Sequence, residues 1–102
     1  MQMLVKATMP VETFNNAVRD GTVGPKIGRI LEDLKPAATY FVEEGGKRTA
    51  YLFLDVADPS RVPSIAEPFF LTFNASVEFH VAMTPDQLGK AGLEQLGKKY
   101  PR

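Results

Sequence analysis

The sequence predicts an α+β fold of ferredoxin-like type: a β-α-β-β-α-β order giving an antiparallel four-stranded sheet, helices on one face and a C-terminal helical tail. Three observations carry this reading. Four segments alternate with the period of a strand, two regions between them carry apolar stripes at helical spacing, and the clearest tight turn joins the second and third strands. Right-handed crossovers then place the first and third strands in the middle of the sheet and both helical regions on the same side.

Taken in order, Gln2 to Met9 alternates Met3, Val5, Ala7 and Met9 against Leu4, Lys6 and Thr8, and Pro10 ends that strand. Phe14, Ala17 and Val18 share a helical face, as do Ile27, Ile30, Leu31 and Leu34, so one long helical region is expected, broken near Gly21 to Pro25. Pro25 suits the first turn of the second piece, where its missing N–H is not needed. Lys35-Pro36 stops the helix, and Ala37 to Glu43 reads as the second strand. Glu44-Gly45-Gly46-Lys47 is a hairpin turn whose glycines can take positive φ, and Arg48 to Val56 returns with both parities largely apolar.

Asp58-Pro59-Ser60 opens the next helix, with Asp58 or Ser60 as its cap, and Ile65, Ala66, Phe69, Phe70 and Phe73 form its apolar face. Pro63 and Pro68 predict that it is short or kinked. Asn74 to Met83 is the fourth strand, with Val77, Phe79 and Val81 on one side and Ser76, Glu78, His80 and Ala82 on the other. Thr84-Pro85-Asp86-Gln87 is a capping box, and the helix it opens is weakened by Gly89, Gly92 and Gly97. One domain is expected over 1–102, with a core of about 2–83 and a tail of 84–102.

Composition excludes several functions. The 102 residues carry 12 Lys plus Arg, 12 Asp plus Glu, and no Cys, for a formal net charge of 0. Without thiols there is no disulfide, no thiolate nucleophile and no thiolate-bound metal. A neutral chain lacks the basic surface that phosphates recruit, so no nucleic-acid partner is expected. No long apolar run occurs, so neither export nor membrane spanning is expected, and the expected location is cytoplasmic. Gly21, Gly24 and Gly28 follow a helix instead of a strand, so they are a bend and not a phosphate loop.

With helices on one side only, the other face would carry Leu4, Tyr51, Phe53 and Ala82, an apolar patch of the kind that marks an interaction surface. The expected answer is a homodimer whose two sheets face each other around a barrel-like lumen. His80 is the only imidazole, and Glu78 shares its strand face, so these two are the candidate catalytic pair. Lys6, Thr8, Tyr51, Phe53 and Asp55 are the candidate ligand-binding residues. One His and one adjacent carboxylate fall short of a zinc site, so no metal is assigned and no cofactor is called for.

Four segments resemble the dimeric α+β barrel superfamily, and more closely a group of small uncharacterised bacterial proteins within it. They are Gly28 to Pro36, Ala37 to Phe41, Ile65 to Phe70, and Val77 to Asp86. The resemblance implies two ferredoxin-like subunits packed sheet to sheet as a dimeric α/β barrel, and transfers no catalytic residue. Function is then expected to be the binding of a small apolar or aromatic molecule in or beside the lumen. The alternative is a cofactor-independent monooxygenase or isomerase acting on a small aromatic metabolite.

Overall fold

The computed structural model describes Met1–Arg102. Its elements are β1 (Gln2–Thr8), α1 (Val11–Arg19), α2 (Val23–Leu34), β2 (Ala38–Glu44), β3 (Lys47–Asp55), α3 (Arg61–Phe73), β4 (Ser76–Val81), α4 (Pro85–Gly89) and α5 (Leu93–Lys99). The four strands form one sheet in the order β2-β3-β1-β4, every neighbouring pair antiparallel. This is the predicted ferredoxin-like arrangement, with β1 and β3 central.

The helical region breaks where the glycine and proline signals place it. Asp20 accepts both the backbone N–H (2.9 Å) and the hydroxyl (2.6 Å) of Thr22, closing the turn between α1 and α2. The same hydroxyl, then the N–H, holds the Asp20 carboxyl below its usual range. Lys35 ends α2 in the left-handed region at φ 48, and Pro36 follows it. The β2–β3 turn takes positive φ at Gly45 (61) and Gly46 (77), as a two-residue hairpin loop requires.

Of the two forms expected, short or kinked, the short one does not occur: α3 runs for 13 residues with Pro68 inside it. Pro68 removes the donor that would reach the Ser64 carbonyl, but Ser64 is exposed, so water can take that acceptor.

Even-step alternation decides what each strand buries. Val5, Ala7, Ala50, Leu52 and Leu54 point under the helices, where they meet Phe14, Ala17, Ile30, Ile65, Phe69 and Phe73 in one continuous core. Phe14 of α1 and Phe73 of α3 stack with centroids 5.3 Å apart and an interplanar angle of 21°.

The expected barrel is corrected by the sheet itself. β2 and β4 are both edges and do not pair with each other, so the sheet is open. Four strands are too few to close around a filled interior, for which about eight are needed. The tail does not roof the open face either, since every residue from Met83 to Arg102 is exposed. The radius of gyration is 17.3 Å, against about 13 Å for a compact chain of this length. The tail is therefore an arm that leaves the body.

Candidate functional site

Strand register arranges the open face in rows. One row holds Ser76, Thr8, Thr49 and Val42; the next holds Glu78, Lys6, Tyr51 and Tyr40; the next holds His80, Leu4, Phe53 and Ala38. The sequence reasoning thus brings Glu78, Lys6 and Tyr51 together, with Thr8 one row to one side and His80 and Phe53 one row to the other. Asp55 is not part of the group. It lies opposite Gln2 at the far end of β3, where its carboxylate takes the Met1 amino group at 2.7 Å.

The organising residue of this face is Glu44, which the sequence reading assigned to the turn. Its carboxylate accepts the Tyr51 hydroxyl on one oxygen and pairs with the Lys6 ammonium on the other. Because Glu44 lies beyond the Thr8–Thr49–Val42 row, Lys6 and Tyr51 cross that row to reach it, and Thr49 is buried beneath them. Glu44 prolongs the parity of Tyr40 and Val42, so ending β2 one residue later would have revealed it.

These contacts move the titration of each group further from neutral pH. The hydrogen bond to Glu44 raises Lys6, the bonds from Lys6 and then Tyr51 lower Glu44, and the bond to Glu44 followed by burial raises Tyr51. At neutral pH the triad is an ammonium, a carboxylate and a neutral phenol, none poised to exchange a proton. Glu78 lies 3.7 Å from Lys6 Nζ and 3.6 Å from His80 Nε2, both beyond hydrogen-bond reach. His80 and Glu78 are each 56% exposed. No group of three or more His, Cys, Asp or Glu side chains is placed to hold a metal ion.

A second site, absent from the sequence reading, lies at the hairpin end of the domain. A cleft of about 620 Å³ opens between α1, the start of α2 and the β2–β3 hairpin. Met9, Val11, Phe14, Ile27 and Phe41 make its apolar walls. Lys47 and Arg48 stand at its rim.

Arg48 is preset there: Nη1 donates to Asn15 Oδ1 at 2.8 Å and the guanidinium sits 4.6 Å from the Phe14 ring centre. Its other N–H donors remain for a ligand. Glu43, the acid of the rim, is turned back into the hairpin, where it accepts the Gly46 N–H at 2.6 Å. The sequence signal for this cleft was Phe41, whose parity points under the helices at an edge strand too wide for them to cover; it stays 54% exposed.

No helix of the structure is long and apolar enough to cross a membrane. Comparison with protein-family models and with curated proteins finds no match. That result, with the open sheet, overturns the resemblance to the dimeric α+β barrel superfamily and its small bacterial members; the ferredoxin-like arrangement of sheet and helices remains.

Proposed function

We propose that this chain is a homodimeric small-molecule-binding protein, and that its ligand is a small apolar or aromatic molecule carrying one anionic group, held in the cleft beside Phe14 and Arg48. The observation that carries this reading is the pairing of apolar walls with a cation already oriented by Asn15 and Phe14. The cleft volume of about 620 Å³ suits a small organic ligand. The homodimer is supported by the half-buried Leu4 and Phe53 and the exposed Tyr40 on a sheet face that no helix covers. Catalysis of the monooxygenase or isomerase kind at His80 is the weaker reading, because His80 and Glu78 are exposed and beyond hydrogen-bond reach of each other, while Lys6 and Tyr51 are engaged by Glu44.

The test is a titration of the full chain with benzoate, octanoate and benzyl alcohol, followed by backbone amide shifts. The two carboxylates should shift the amides of Phe14, Ile27, Phe41 and Arg48. Arg48→Gln should weaken carboxylate binding about five- to tenfold, equivalent to ~1–1.4 kcal/mol, and leave the alcohol unchanged. Shifts confined to the open sheet face, or none at millimolar ligand, overturn the reading.

A further inference from the structure

We propose that the C-terminal arm, Thr84–Arg102, is an exchange element that lies across the open sheet face of a second copy of this chain. The inference rests on the homodimer proposed above and assigns its contact surfaces.

The arm needs a surface to lie on. α4 has 5 residues and α5 has 7, whereas isolated helices shorter than about 12–15 residues are marginal in water. Leu93, Leu96 and Tyr100 follow spacings of three and four, which puts them on one stripe, and they are 59%, 46% and 71% exposed. Total exposed area tells the same story. The chain exposes 7166 Å² at 11.2 kDa, about 1,500 Å² more than the roughly 5,700 Å² expected of a compact monomer of that mass. A stable dimer buries about 800 Å² per partner, so the excess is ample for one.

Charge is compatible with this pairing. On the open face Glu44, Asp55 and Glu78 are balanced by Lys6, Lys47 and the Met1 ammonium, and of the three acids only Glu78 accepts no hydrogen bond. The arm carries Lys90, Lys98, Lys99 and Arg102 against Asp86 and Glu94, so it brings surplus cations to the side of the sheet where Glu78 stands.

Geometry directs the arm to another copy. Only Ala82 and Met83 separate β4 from the Thr84 cap. Ala82 still donates to Gln2 O at 3.0 Å, extending the ladder. Thr84 and Gln87 then lock the first turn of α4 through a reciprocal capping box, Thr84 N–H to Gln87 at 2.8 Å and Gln87 N–H to Thr84 at 3.2 Å. So short and fixed a connector sets the direction in which α4 leaves the sheet, and along it every residue from Met83 to Arg102 stays exposed, clear of its own sheet.

The natural absence of cysteine makes the test direct. Differently tagged full-length chains, one carrying Leu96→Cys and the other Tyr40→Cys, are mixed and treated with a short bismaleimide. A cross-link between the two tags is expected, with at least about fivefold less when Tyr40→Cys is replaced by Asp33→Cys on the outer side of α2. Leu93→Asp with Leu96→Asp should move the monomer–dimer midpoint at least about tenfold toward higher concentration in light scattering.

A dimer that forms without the Leu96–Tyr40 cross-link overturns the arm exchange and leaves the dimer standing. A chain that stays monomeric at 100 μM overturns both. A Leu96→Cys, Tyr40→Cys double variant that cross-links within one monomer shows the arm folding back and overturns the exchange.

Discussion

Tyr51 donates its phenolic hydroxyl to Glu44 across the open face of the sheet, and the Lys6 ammonium pairs with the other oxygen of the same carboxylate. One acid thus ties the two central strands to edge strand β2. Glu44 lies below its ordinary value of 4.5 in the fold, so its contribution to stability is present above that value and is lost as pH falls through the lowered one. Lys6 and Tyr51 lie above 10.5 and 10.0, so theirs are full below those values and fade as pH rises through the raised ones. Melting temperature should show a plateau with an acid and an alkaline limb. Glu44→Gln should lower the plateau and flatten both limbs, since one substitution removes the partner common to all three shifts. Parallel wild-type and variant profiles would show that the triad does not act as a unit.

Phe73 is 1% exposed and stacked on Phe14, at the junction of α1 and α3. Phe73→Ala should cost about 3–5 kcal/mol in urea unfolding, a large share of the roughly 5–15 kcal/mol typical of a domain. Phe73→Leu should cost clearly less. Equal losses would mean that the cavity does not set the penalty.

Two exposed glycines should respond with opposite signs to alanine. Gly46 holds φ +77 in the hairpin, where a Cβ costs roughly 1–2 kcal/mol. Gly28 sits inside α2 with nothing within 4 Å of a built Cβ, so Gly28→Ala should stabilise by up to about 1 kcal/mol. Thermal melts of the two variants should fall on either side of wild type.

His80→Ala should change stability by no more than about 0.5 kcal/mol, because the ring is 56% exposed and without a hydrogen bond to Glu78. It should also leave carboxylate binding at the cleft unchanged. Loss of binding on this substitution would move the site to the sheet face and sink the assignment of the cleft.

Strand and helix order were legible because each depends on a local signal: alternation in Met3 to Met9, the Gly45-Gly46 turn, Pro36 after the α2 stripe, and the Thr84 capping box. The sheet order followed from crossover handedness and holds. Barrel closure was expected from the uncovered face and is not found, because the edge strands β2 and β4 do not pair. Among candidate residues, Lys6, Tyr51 and Glu78 share a row because register is fixed by the buried parity, and Asp55 misses it by lying four residues, two rows, further along β3. Glu44 and the cleft were missed for a common reason. Both sit where β2 meets the turn, and a boundary misplaced by one residue reassigns an acid from sheet to loop. Arg48 offered no signal of its own, since its orientation comes from Asn15 and Phe14, distant in sequence.

β2 borders only β3, and Tyr40, Phe41 and Val42 on it are 61%, 54% and 42% exposed. Such a strand is a template on which another copy can add its own backbone without limit, the route to fibrous aggregates. Glu43 and Glu44 follow at once and act as gatekeepers, their negative charges repelling an identical strand laid alongside. Replacing both by glutamine removes that guard at the place where the chain is most prone to self-templated growth.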